Sequence, residues 1–206
     1  MWTTLNIMFV CLVVLSAAAT TSYGAEVPRV VRLIPVGEIQ EGLLRELAGS
    51  LKKNLGVVAQ VGPGIEVPAD AYNTKRKQYF STDILRELSG MRPGGKLYLL
   101  GVTELDLYVP TLNFVFGEAL PFRNVAIISL HRLREEFYGR DADNIILSER
   151  MTKEAVHELG HIWRLRHCPN PRCVMYFSNS LADTDKKPAS FCKNCQPLLK
   201  LKRHDK

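Results

Sequence analysis

Three histidines and a glutamate, in the run His157-Glu158-Leu159-Gly160-His161 followed by His167, are the residues of this chain best suited to chemistry. On an α-helix His157 and His161 lie one turn apart on one face, so both imidazoles can reach a single ion. A hydrolytic zinc site keeps three protein ligands and leaves one position for water, and His167 is the natural third ligand. Glu158 stands where it can take a proton from that water and pass it to a leaving amine, which is peptide-bond hydrolysis. The bland alternatives are two ordinary helix histidines beside a surface carboxylate, and a His167 that serves the adjacent cysteines.

The elements around the motif must meet one geometric demand. In a continuing helix His167 would sit about 15 Å along the axis from His157. The chain must therefore turn back between Trp163 and His167. Glycine would do this cheaply through a left-handed conformation, but position 164 is Arg. A non-glycine residue there costs on the order of 1–2 kcal/mol. A long helix from about Asn144 to Leu165 is expected to carry the motif, with Ala155, Leu159, Ile162 and Trp163 facing the core.

Upstream, Val30 to Val36 reads as a strand, Glu38 to Leu55 as an amphipathic helix closed by Gly56, and Val57 to Val61 as a second strand. A polar loop follows to about Lys75. Ser81 is expected to cap a helix through Leu88, and Lys96 to Val102 is apolar enough for a central strand. Leu112 to Ala119 and Asn124 to Leu130 read as strands joined by a turn at Leu120-Pro121-Phe122. The order is βαβαβ, then a hairpin, then the motif helix. It predicts an α/β fold whose mixed sheet has one antiparallel edge strand and packs on helices. The edge strand Asn113–Ala119 is a candidate dock for an extended peptide.

Cys168, Cys173, Cys192 and Cys195 occur as C-x4-C and C-x2-C. Export would favour disulfides, but cysteines this close in sequence make poor bridges and natural zinc chelates, and Pro169 and Pro171 stiffen the first loop. A zinc staple is expected to order residues 167–206, a small C-terminal subdomain that otherwise has little periodicity.

The chain has 206 residues and a formal charge of +6. That is one domain's worth of chain, and four thiolates around zinc would offset about two positive charges. Lysines and arginines cluster near the C-terminus, from Lys186 to Lys206, as a solvated face; no interleaving of basic and aromatic residues suggests nucleic acid. Residues 1–24 carry no charged side chain and hold an apolar run from Leu5 to Ala19 with small residues after it. This pattern fits a signal peptide and is short for a membrane span, so residues 25–206 are expected to form the domain, without stable membrane insertion. Localisation is then periplasmic or secreted if the leader is a true signal, and cytoplasmic otherwise. Cys11 would leave with the leader.

The pattern H-E-x-x-H-x-x-R-x-x-H-C-x4-C-x-M, followed by C-x2-C from His157 to Cys195, resembles the archaemetzincins, a branch of the metzincin zinc metallopeptidases. Val31-Arg32-Leu33-Ile34-Pro35-Val36-Gly37 and Leu112-Asn113-Phe114-Val115-Phe116-Gly117 are also similar to that family. The resemblance implies a metzincin-like fold and two zinc ions. One would be catalytic on His157, His161 and His167 with Glu158 as general base, the other structural on Cys168, Cys173, Cys192 and Cys195. It also implies that Met175 forms a hydrophobic base under the metal. The expected substrate is a peptide or small protein, cut in some members at the amino terminus, by a monomeric enzyme. Two departures stand out: Arg164 replaces the usual glycine, and the leader is unexpected. The rival expectation is a two-zinc binding module that keeps the fold without turnover, with Arg164 as its marker.

Overall fold

The computed structural model describes residues 29–91 and 93–201; the candidate leader with Cys11, and Lys202, Arg203, His204 and Lys206 of the basic tail, lie outside these. In chain order the elements are β1 (Val30–Pro35), α1 (Glu41–Leu55), β2 (Val58–Val61), β3 (Tyr72–Asn73), β4 (Gln78–Phe80), α2 (Ser81–Gly90) and β5 (Leu97–Thr103). Then follow β6 (Leu107–Tyr108), β7 (Gly117–Leu120), β8 (Val125–Ser129), α3 (Asn144–Ile162), α4 (Leu181–Lys186) and α5 (Cys195–Leu201). The main sheet has the order β2-β1-β5-β8-β7. All its pairs are parallel except β7 with β8, so β7 is the antiparallel edge.

Two apolar layers follow from the two-residue repeat of the strands. Val31, Leu33, Leu100, Val102, Ala126 and Ile128 join one core with α1 and α3, while Ile34, Leu99, Val125 and Ile127 join a second core with Ile84, Leu85 and Leu88 of α2. A fully buried aliphatic side chain contributes about 1.5–3 kcal/mol, so these alternating rows fix which face each strand shows. The last five residues of β5 are buried, in keeping with its place at the centre. Among the described residues no helix is long and apolar enough to cross a membrane.

Several expected boundaries differ. The strand predicted over Leu112–Ala119 begins only at Gly117, because the preceding segment is pulled off the sheet. Arg76 Nη2 donates to the carbonyls of Leu112 and Asn113 at 2.7 and 3.0 Å, Gln78 Nε2 donates to Asn113 at 2.9 Å, and Val115 bridges to Leu107. Ser81 is the first helical residue rather than the cap, and its hydroxyl serves Glu118 instead, at 2.6 Å. The first helix begins at Glu41, the motif helix ends at Ile162, and the loop expected before Lys75 contains β3. Together β3, β4 and β6 form a small second sheet that pattern reading did not predict, since strands of two or three residues carry no usable period.

Candidate active site

Asp143 starts α3 by accepting the backbone N–H groups of Ile145 and Ile146, each at 2.9 Å, which satisfies two of the helix's orphan donors. The helix lies against β7, β8 and α1 and carries His157, Glu158 and His161 in its last turns. Its end solves the problem posed by position 164. Arg164 N–H bonds to His161 O at 2.7 Å and Leu165 N–H to Gly160 O at 3.0 Å. This is the paired bonding of a Schellman motif, with Arg164 at φ +65° in the position glycine usually takes. Leu165 and Leu159 are both buried in the same apolar core. The Arg164 guanidinium lies 4.5 Å from the ring centroid of Phe122. The chain thus reverses and returns His167.

The three rings converge. Nε2 of His161 lies 3.1 Å from Nε2 of His157 and 3.2 Å from Nε2 of His167. Nδ1 of His157 donates to Val174 O at 2.7 Å and Nδ1 of His161 donates to Leu165 O at 2.8 Å. A carbonyl only accepts, so each Nδ1 carries the proton and each Nε2 presents a lone pair. Lone pairs this close repel unless a cation lies among them. Tetrahedral zinc–imidazole bonds would space the nitrogens ~3.3 Å apart, close to what is observed. The donor set therefore fits zinc.

Protonation states agree with that fit. Burial, with the Lys187 ammonium second, holds His157 well below its usual value. Burial takes His161 down to about 4, outweighing the Leu165 carbonyl that favours the charged ring. His167 is lowered by burial and then by Lys187. All three imidazoles are neutral near pH 7. Burial first, and then the like charge of Glu154, push Glu158 well above the usual carboxylate range, against the opposing pull of Lys187.

Met175, next to the Val174 carbonyl that anchors His157, is fully buried. A Cβ on Gly160 would lie 2.4 Å from Met175 Sδ, so glycine in the helix is what admits the methionine. Cys168, Cys173, Cys192 and Cys195 are brought together as free thiols, Sγ of Cys168 and Cys192 being 3.9 Å apart. That is far beyond a disulfide bond and near the ~3.8 Å spacing of a tetrahedral zinc–thiolate site. Burial favours a protonated Cys192, but backbone N–H groups of Cys195 and Asn194 and neighbouring thiols outweigh it and bring that thiol to about 6. Cys168 N–H bonds to Met175 O at 2.8 Å, tying the cysteine loop to the segment that anchors His157.

A cavity of about 510 Å³ opens over the histidines, lined also by Glu154, Glu158, residues 112–119 and Phe177. Glu154 escaped the sequence reading, although its place three residues before His157 puts it on the same helix face. Its Oε1 pairs with the fully buried Lys187 ammonium at 3.0 Å and accepts the Thr184 hydroxyl at 2.9 Å. Lys187, expected on the solvated basic face with its C-terminal neighbours, is instead buried, because the fold brings it to the Glu154 carboxylate. Two other ionisable residues serve packing: Asp106 pairs with Arg132 at 2.6 Å and His131 packs on Phe137.

The sequence profile of peptidase family M54 matches residues 44–203. An archaemetzincin of Pyrococcus furiosus is 46% identical over 169 residues, covering 79% of this chain and 88% of the relative. The crystal structure of an Archaeoglobus fulgidus archaemetzincin complexed with malonate has a TM-score of 0.71 at 41% identity, covering 82% of this chain and 99% of that one. A zinc-dependent peptidase from Methanocorpusculum labreanum gives a TM-score of 0.76 at 33% identity, with coverage of 82% and 99%. A profile spanning most of the chain, close relatives and a shared fold agree with the histidine geometry: the chain belongs to peptidase family M54, the archaemetzincin zinc metallopeptidases.

Proposed function

We propose that His157, His161 and His167 hold a catalytic zinc, that Glu158 moves the proton in peptide-bond hydrolysis, and that the four cysteines hold a second, structural zinc. The observation that carries this is the pair of Nδ1-anchored imidazoles on α3 with their Nε2 atoms facing that of His167 beside Glu158. Zinc held by the three histidines would supply Lewis acidity, making water acidic enough to ionise near pH 7 and polarising the scissile carbonyl. Glu158, walled in by β7 and the cavity, accepts a proton on its carboxylate and returns it to the leaving nitrogen. The free outer edge of β7 supplies backbone donors and acceptors for an extended substrate. The rival expectation of a binding module took Arg164 as its marker; Arg164 in a left-handed turn, with His167 beside the other two histidines, favours the peptidase reading.

A randomised peptide library digested by wild type and by Glu158→Gln, with metal analysis of both, tests the proposal. The expected result is about two zinc ions per chain in each protein, one quickly removed by a chelator, and hydrolysis in the variant reduced by ~10²–10⁴. Equal hydrolysis by the variant rejects the role of Glu158. A single zinc ion rejects the second site.

A further inference from the structure

We infer that Glu118 forms a cation-selecting subsite, preferring peptides that present a positive charge next to the bond cut; this rests on the peptidase reading above. Glu118 lines the cavity from the edge strand β7, one residue after Gly117, against which Glu158 packs. Its carboxylate is held rigidly. Ser81 Oγ donates to Oε2 at 2.6 Å, and Thr82 Oγ1 donates to Oε1 and Oε2 at 2.9 and 3.1 Å. Ionised carboxylate oxygens offer about four acceptor sites, so these two hydroxyls leave room for another donor. No ion pair joins Glu118 to a lysine or arginine among the described residues. A clamped, half-buried carboxylate at a substrate cavity without a counter-ion is a recognition group for a cation.

The strand register says where that cation must be. Gly117 pairs with Ile128, which belongs to the α3-side core, and Glu118 pairs with Ile127, which belongs to the α2-side core. A peptide added to the free edge of β7 alternates its side chains between the same two faces. The residue beside Gly117 looks toward Glu158 and the histidines. Its neighbour looks to the other face, opposite Glu118, where a cross-strand pair of opposite charge forms. Two sources offer this chemistry, a lysine or arginine side chain and the peptide's own α-ammonium group.

The test uses zinc-loaded full-length protein and two pools of random decapeptides, one containing lysine and arginine and the other norleucine in their place. Each pool is prepared with free and acetylated amino termini, and cut positions are read by mass spectrometry. The basic pool should be cleaved with kcat/KM higher on the order of tenfold, the charge lying at one constant distance from the cut. Glu118→Gln should bring that ratio to about one, and Glu118→Lys should turn the preference toward acidic residues. A basic-pool preference that survives acetylation assigns the cation to a side chain, and cleavage of both pools that falls about tenfold on acetylation in wild type but not in Glu118→Gln assigns the α-ammonium; either supports the subsite. Equal cleavage of the two pools by wild type that acetylation leaves unchanged, or a preference undiminished in Glu118→Gln, overturns it. If wild type cuts neither pool the peptidase reading fails. The subsite is then judged by calorimetric binding of a lysine peptide and its norleucine counterpart to wild type and Glu118→Gln. The same tenfold ratio and its loss in the variant are required.

Discussion

Glu158 lies directly against Gly117: a Cβ added to the glycine would come within 2.7 Å of both Cγ and Oε1 of Glu158, and within 2.7 Å of the Ile127 carbonyl. The edge strand and the motif helix meet at this contact, and only a residue without a side chain permits it. Because Ile127 O is backbone in the middle of the sheet, the strain of a larger residue must be taken up by Glu158. Gly117→Ala is expected to displace the carboxylate, costing about 1–3 kcal/mol of stability and ~10²-fold in kcat/KM. Steady-state kinetics with a thermal melt and a zinc assay check this. Wild-type turnover would show that the carboxylate has room to spare.

Arg164 occupies the left-handed end of α3 at φ +65°. Arg164→Gly relieves the backbone but loses the Phe122 contact and gains unfolded-state entropy, so stability should change by less than about 1 kcal/mol, with zinc affinity retained. Arg164→Val adds a β-branched residue where it fits worst and should cost about 2 kcal/mol or more while weakening zinc binding. Chemical denaturation and competitive zinc titration of both variants give the comparison. Equal behaviour of the two variants would mean that this turn does not control His167.

Lys187 and Glu154 form an ion pair whose side chains are 0% and 3% exposed. Lys187→Met leaves a buried, uncompensated carboxylate beside Glu158 and should destabilise by about 3–5 kcal/mol. Adding Glu154→Gln removes that charge and should restore much of the loss. A double-mutant cycle by urea unfolding measures it, and strictly additive effects would contradict the pairing.

Acid should unfold the zinc-free protein through its histidines. His161 is held near 4 in the fold against an ordinary 6.5, so between those values the unfolded chain binds the proton that the folded chain refuses. Stability therefore falls as pH drops from 6.5 toward 4. Glu158 acts in the opposite sense. Its raised pKa lets the folded chain keep a proton that the unfolded chain releases above 4.5, a contribution present at low pH and lost as pH rises through the folded value. Urea midpoints of chelated protein should thus decline more steeply toward acid in Glu158→Gln than in wild type. Identical slopes would argue against the raised carboxyl.

Local order in this chain was readable from local pattern. The i, i+4 histidines with their glutamate, the close-set cysteines and the alternating strands each report a periodicity that neighbouring residues impose on one another. The mixed sheet with β7 at its edge follows from the order of those elements, and the demand for a reversal at Arg164 follows from helix rise alone. Residues 112–116 alternate like a strand yet leave the sheet; the groups that peel them away, Arg76 and Gln78, lie more than thirty positions earlier.

What spacing cannot encode is which distant side chains meet. Val174 O orients His157, Lys187 reaches Glu154, Ser81 and Thr82 clamp Glu118, and Gly117 makes space for Glu158. Each contact joins residues distant in the chain, and nothing short-range tells which two will meet. The choice of metal chemistry was thus written in a stretch of a dozen residues. The tautomers, the protonation states and the shape of the cavity were settled only when the sheet edge, the motif helix and the cysteine loop packed together and excluded water.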